Sequence, residues 1–302
     1  MPDRTIYDYL CSDEVARLAR NTQVLYSYTL DHMERFMAET QTLTPADMSR
    51  LHPPYKLESF DMPGFAAFLE KRKLSGKTVQ QYLTCAKVFL NWAGYHVEYT
   101  YRVSNKEIQA NKRKHLDRWF SEEEIDMCLQ YDFPHSHELG LMFKAIIHVL
   151  IETGCRVGEV SNLKPDDLDL DEQYIIVHGK TEPRPVIISE ETVEMIRNVL
   201  SEGRPLFRGG KLFPSTDAIK SAVAGMLKDL GLKSTSDGRG PHTFRHYVAT
   251  YLYYTGGMDI DSIAFLLGDT VDTIRSKYLH PTPNMIKKRV LMAWGKWEEV
   301  RP

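Results

Sequence analysis

One stretch of the 302-residue chain, "QYIIVHGKTEPRPVIIS" at 173–189, is the only one that reads clearly as β structure. Two runs rich in β-branched residues flank a polar turn, which is the pattern of a hairpin. The other patterned segments space their apolar residues as helices do. A chain written this way folds as mainly α with a small antiparallel β-hairpin or sheet. At 302 residues it is long enough for two modest domains or one large one.

Residues 1–105 read as a helical bundle. "NTQVLYSYTLDHMERFMAET" carries Leu25, Tyr28, His32 and Phe36 at helical spacing. Thr44 and Pro45 make a cap and first-turn pair for "LTPADMSRL". "FDMPGFAAFLEKRKLSG" and "SGKTVQQYLTCAKVFLNWAGYH" add two helices, expected to stop near Gly76 and Gly94. Residues 106–118 lack an apolar stripe and read as a basic linker. In 119–302, Ser121 and Glu124 form a capping box. "LGLMFKAIIHVLIETG" (139–154) is too short to span a membrane and carries Lys144, His148 and Glu152, so it reads as a buried helix. "RVGEVSNL" is a short helix, and helices resume from Glu190 after the hairpin.

A net charge of −3 does not announce a nucleic-acid partner, but the distribution is uneven. From Lys71 to Arg118 basic residues outnumber acidic ones by about eight. The start, "MPDRTIYDYL", has no apolar run and does not read as a signal peptide. Cys11, Cys85, Cys128 and Cys155 are scattered without a CxxC pair. They read as reduced thiols of a cytoplasmic protein, with no metal site expected.

Five positions stand out for chemistry. Arg156 follows Gly154 among Cys155, Val157 and Val160, where a guanidinium close to a core needs a carboxylate or a phosphate. Glu159 is its bland partner. Lys180 sits in the hairpin turn, where lysines are common. His242 and Arg245 share one side of a helix's first turn, which favours an anion. His246 is expected to point away from that side. Tyr278 is placed by sequence in a basic setting with Arg275, Lys277 and His280. Together two arginines, a lysine, a histidine and a tyrosine are what metal-free phosphoryl transfer to a tyrosine requires. Two guanidinium forks hold the non-bridging oxygens. A phenol of pKa about 10 is a weak nucleophile and needs a base and positive charge nearby.

"TGCRVGEVSNL", the "GK" turn, "HTFRH" and "LLGDTVDTIRSKYLHP" occur in an order that resembles the tyrosine recombinase, or phage-integrase, family, its Xer-like and integrase-like members above all. The resemblance covers 119–290. It implies a two-domain DNA clamp with a tyrosine-recombinase catalytic domain and no cofactor. Arg156 and Arg245 match the phosphate-clamping arginines, Lys180 the general acid, and His242 the residue assisting proton transfer. Tyr278 matches the nucleophile that forms a 3′-phosphotyrosyl bond. Glu159 matches a carboxylate that orients an arginine. Asp269 stands where the family has His or Trp; either it turns aside and orients a neighbour, or another donor, with Thr270 and His280 the candidates, fills its place.

The partner implied is a specific double-stranded DNA site, with Lys71, Arg72, Lys73, Lys77, Lys87, Lys112, Arg113 and Lys114 expected on its phosphates. The family works as a tetramer on DNA. Here Val290, Leu291, Trp294 and Trp297 form a stripe on a C-terminal helix that would reach a neighbouring protomer. The location implied is the cytoplasm, at the nucleoid. The job implied is chromosome dimer resolution or integration and excision of a mobile element. Three other readings compete: a helix-turn-helix regulator built on "DSIAFLLGDTVDTIRSKYL", a type IB topoisomerase-like enzyme, and a recombinase fold retained for binding alone.

Overall fold

A computed structural model of the chain describes residues 4–42, 55–104, 119–179, 182–202, 206–233, 238–279 and 283–293. The chain divides into two units, Met1–Lys112 and Arg113–Pro302. The expected linker at 106–118 and the "LTPADMSRL" helix at 43–51 lie outside the described residues.

The first unit is helical: α1 (Ile6–Leu10), α2 (Asp13–Ala16), α3 (Arg20–Thr40), α4 (Met62–Lys71) and α5 (Gly76–Trp92). The N-caps are those the chemistry favours, with Asp61 accepting from the Gly64 amide and Ser75 from the Thr78 amide. Leu30, Met33, Phe65, Leu69, Phe89 and Leu90 form its core. Two sequence expectations shift here. Gly76 opens α5 behind its Ser75 cap rather than closing the helix before it. Tyr28, expected on the buried stripe of α3, is 61% exposed, whereas Tyr26, Leu30, Met33 and Met37 are buried. Leu25, Tyr28, His32 and Phe36 give a plausible helical stripe in isolation. The side that α5 and α4 cover is rotated from it.

In the second unit α6 (Glu122–Leu129) begins at the Ser121–Glu124 capping box. The apolar α7 (His137–Thr153) is central. It packs against α6, α8 (Val157–Asn162), α9 (Glu190–Ser201), α10 (Thr216–Asp229) and α11 (Pro241–Tyr254). Ala145, Ile146, Val149 and Leu150 have no exposed surface, as a helix apolar on most sides must. The β segment is a three-stranded antiparallel sheet, one strand more than the hairpin expected. β1 (Leu168–Asp169) pairs with β2 (Tyr174–Val177), which pairs with β3 (Arg184–Ile187). Strand alternation turns Ile175, Val177 and Val186 inward and leaves Ile187 outside.

After α11 come α12 (Ile260–Leu267), α13 (Val271–Thr273), a π-helical turn at Ile274–Tyr278 and α14 (Pro283–Ala293). Gly268 stops α12 at φ 60°, in the left-handed region that glycine enters without strain. α14 packs on α11, and its Arg289 guanidinium lies over the Tyr253 and Tyr254 rings. Among the described residues no helix is long and apolar enough to cross a membrane.

Candidate active site

Three arginines from distant parts of the second unit meet at the C-terminal end of α12. A helix leaves its last carbonyls without intrahelical donors and carries partial negative charge there. Each of three successive carbonyls accepts from a different guanidinium. Arg184 Nε donates to Leu266 O at 2.7 Å, Arg245 NH2 to Leu267 O at 2.6 Å, and Arg156 NH2 to Gly268 O at 3.1 Å. The next residue, Asp269, pairs its Oδ2 with Arg156 NH2 at 3.0 Å and with Arg245 NH2. One carboxylate oxygen therefore lies where two guanidiniums converge. Thr270, considered as a substitute donor, caps α13 by accepting from the Thr273 amide; His280 lies outside the described residues.

Arg245 is fully buried on α11. A charge so placed persists only if its donors are satisfied. NH1 donates to Gly154 O at 3.0 Å, and Nε donates to the Tyr278 hydroxyl at 3.2 Å. Gly154 is the left-handed cap of α7, at φ 62°. A Cβ there would come within 2.7 Å of Leu267 Cδ2 and 3.2 Å of Val248. The glycine thus lets α7, α11 and α12 approach while its carbonyl holds Arg245.

Tyr278 is 4% exposed, not in the polar setting its neighbours in sequence suggested. It packs with Ile274, Val248, Ile263 and Leu267. The π-helical turn, closed by Leu279 N donating to Ile274 O at 3.2 Å, and the bond from Thr250 Oγ1 to Tyr278 O at 2.7 Å fix its backbone. Burial pushes the Tyr278 phenol above its ordinary range, with Arg245 opposing. His242 lies 5.6 Å from the Tyr278 ring, centre to centre. His246 lies closer, at 4.6 Å, and 4.9 Å from His242. His246 therefore faces the tyrosine, contrary to the sequence expectation, because four residues on from His242 it shares that side of α11. His242 keeps exposed surface, but partial desolvation by the surrounding protein and then the Arg245 and Arg156 guanidiniums push its imidazole below its ordinary value.

Glu159 is the buried hub of the constellation. It accepts from the Arg156 amide at 2.8 Å, Arg156 NH1 at 3.1 Å, Arg184 NH1 at 3.1 Å and Arg184 NH2 at 3.0 Å. Burial alone would raise its carboxyl, but Arg184 and Arg156 overcome that and hold it below the ordinary range. Gly179, beside Lys180 in sequence, abuts Glu159, since a Cβ there would lie 2.4 Å from Oε1. Lys180 itself is outside the described residues.

Among the expected phosphate contacts, Lys71, Arg72, Lys73 and Lys77 are exposed and Lys87 is half-buried. Arg72 is engaged with Glu39 at 3.1 Å and stacked on Phe68. Lys112, Arg113 and Lys114 lie outside the described residues, as do Trp294 and Trp297. Among the described residues no cluster of His, Cys, Asp and Glu is placed to hold a metal. Two participants escaped the sequence reading, His246 and Arg184. The signal for Arg184 was available: it stands at an inward position of a strand, where alternation calls for an apolar residue. The segment read alternatively as a helix-turn-helix has its turn, Gly268 and Asp269, engaged with the arginines instead.

The model of the phage integrase family matches residues 118–285. A tyrosine recombinase XerD from Listeria innocua is 25% identical over 283 residues, covering 89% of this chain and 91% of that protein. A tyrosine recombinase XerC from Staphylococcus epidermidis is 27% identical over 252 residues, covering 79% and 83%. In fold, the chain is similar to a XerH site-specific recombinase bound to a palindromic difH substrate, with TM-score 0.65 and 20% identity over 92% of this chain and 80% of that one. It is also similar to the Tn1549 transposon integrase in complex with transposon right end DNA, with TM-score 0.66 and 16% identity over 97% and 100%.

Proposed function

The chain belongs to the phage integrase family, the tyrosine recombinases that break and rejoin DNA strands, and on that premise we propose how its residues divide the reaction. The substrate is a specific double-stranded DNA site. Arg156 and Arg245 hold the non-bridging oxygens of the scissile phosphodiester. The Tyr278 oxygen attacks phosphorus, its proton passing toward His242. The bond from phosphorus to the 5′-oxygen breaks, and Lys180 protonates that oxygen as it leaves. The product is a 3′-phosphotyrosyl bond, which a 5′-hydroxyl of a partner duplex reverses without outside energy.

The observation that carries this reading is the single guanidinium of Arg245, which touches both the Tyr278 hydroxyl and the carboxylate lodged between the two arginines. Nucleophile and anion seat share one anchor. Glu159 orients Arg156, as its two bonds to that residue support. Lys71, Arg72, Lys73, Lys77 and Lys87, with Lys112, Arg113 and Lys114, contact phosphates. A tetramer forms on DNA through the C-terminal helix, a reading supported by Ile286 and Val290, which stay exposed on α14. The protein acts in the cytoplasm, at the nucleoid. The XerH neighbour, solved on a palindromic substrate, supports a palindromic target here.

Because the target sequence is open, the test begins with a library. Nicked suicide duplexes with randomised palindromic half-sites are incubated with the full chain, and DNA bound covalently to protein is isolated and sequenced. One enriched sequence and a 3′-phosphotyrosyl peptide containing Tyr278 are expected. Adduct formation undiminished in Tyr278→Phe overturns the nucleophile. Supercoil relaxation without an enriched sequence would favour the topoisomerase-like alternative.

A further inference from the structure

We propose that Arg184, on strand β3, is a positioning residue for strand cleavage: by clamping both oxygens of Glu159 it fixes the carboxylate that aims Arg156 at the phosphate. The inference rests on the proposed reaction. Arg184 is 3% exposed, yet it occupies an inward strand position flanked two residues on by the buried Val186. All three of its side-chain nitrogens are engaged, NH1 and NH2 on Glu159 and Nε on Leu266 O. A fork that meets both carboxylate oxygens leaves Glu159 no rotational freedom. Glu159 in turn holds Arg156 by backbone and by side chain.

The same guanidinium also ties β3 to the end of α12, one residue from the carbonyl that Arg245 holds. Arg184 thereby links the sheet to the helix end on which both phosphate-clamping arginines rest. Val177 and Arg184 are cross-strand partners, and Lys180 lies between them in sequence. A lysine at 184 would keep the charge but present one donor point instead of a planar fork.

The test uses the duplex selected from the library, made once with the native scissile phosphodiester and once with a methylphosphonate, which lacks one charged oxygen. Single-turnover adduct formation is measured for the full chain and for Arg184→Lys, alongside DNA affinity and thermal unfolding. On the phosphodiester, Arg184→Lys is expected to be slower by about 10²-fold, the cost of a reacting group misplaced by about 1 Å. On the methylphosphonate, where the arginine clamp has less charge to hold, that deficit should shrink by about tenfold, as coupling between enzyme and substrate changes requires. DNA affinity should change little. Equal deficits on the two substrates would reduce Arg184 to a structural role and overturn the proposal. A wild-type chain that forms no adduct on any duplex would instead overturn the cleavage reading itself.

If Arg184→Lys loses cooperative unfolding, Arg184→Met combined with Glu159→Gln is compared with Glu159→Gln alone. The pair removes both buried charges together. Equal rates support the proposal, because no carboxylate remains for Arg184 to aim. A further loss of about tenfold in the double variant overturns it.

Discussion

The anion seat contains its own carboxylate. Asp269 neutralises the two guanidiniums proposed to hold the phosphodiester, so a phosphate bound there has to displace or repel it. Asp269→Asn keeps an oxygen that accepts from the arginines and removes the negative charge. It is expected to raise the single-turnover rate of adduct formation by about three- to tenfold, up to about 1.4 kcal/mol of barrier. A tenfold fall would instead make Asp269 a required organiser of the arginines. His242 gives a second residue-scale expectation. Its pKa is pushed below the ordinary 6.5, first through partial desolvation of a ring that keeps exposed surface and then through Arg245 and Arg156, so the ring is neutral and able to accept a proton at pH 7. The acid limb of the pH–rate profile should therefore fall below pH 6.5 and disappear in His242→Gln. A limb centred at or above 6.5 would contradict the assignment. The same shift has a linkage consequence. Between the unfolded pKa near 6.5 and the lower folded value the unfolded chain binds more protons, so this residue's contribution to stability declines as pH falls through that window.

Two helix ends carry the site, and both depend on glycine. Gly268 ends α12 so that its last carbonyls meet three guanidiniums. Gly154 ends α7 at φ 62°, and its carbonyl receives Arg245. Gly154→Ala adds left-handed strain of about 1–2 kcal/mol, and its Cβ must also displace Leu267. For a unit of this size each kcal/mol lowers the melting temperature by about 2–4 °C. The variant should melt several degrees lower and form adduct more slowly, because Arg245 moves with the cap. An unchanged melting curve would mean that the three helices are not packed as tightly as described. The π-helical turn is the third such element. The turn widens there, as the bond from Leu279 N to Ile274 O shows, and so both Ile274 and Tyr278 pack into one small core.

Across the whole molecule, charge is concentrated where the net value of −3 hides it. Lys71, Lys73 and Lys77 are exposed in the first unit, close together in sequence, and Arg72 between them is partly neutralised by Glu39. Lys71→Ala and Lys77→Ala should each weaken binding to all duplexes alike. Each should also reduce the slope of log affinity against log salt by about one. Arg72→Ala should change the slope less. A set of variants with an unaltered slope would remove these lysines from the phosphate contacts.

The linear order of residues was enough to establish the helical class, the β segment and the Ser121–Glu124 cap, because capping and periodicity are local, and to single out Arg156, His242, Arg245 and Tyr278 as candidates that the fold brings together. It was not enough to say which side of a helix is covered. The stripe that α3 offers by itself includes Tyr28, and the packing partner leaves that residue exposed, whereas the side His246 takes was legible in its spacing four residues on from His242. It also could not tell what a charge would meet. Arg184 and Glu159 are 25 residues apart, and Asp269 is more than 100 residues from Arg156 in sequence, yet each pair is in contact. Such pairings depend on where a strand, a helix start and a helix end come to rest in space. Only the folded chain contains that information, since a buried guanidinium takes the partners that packing brings within reach.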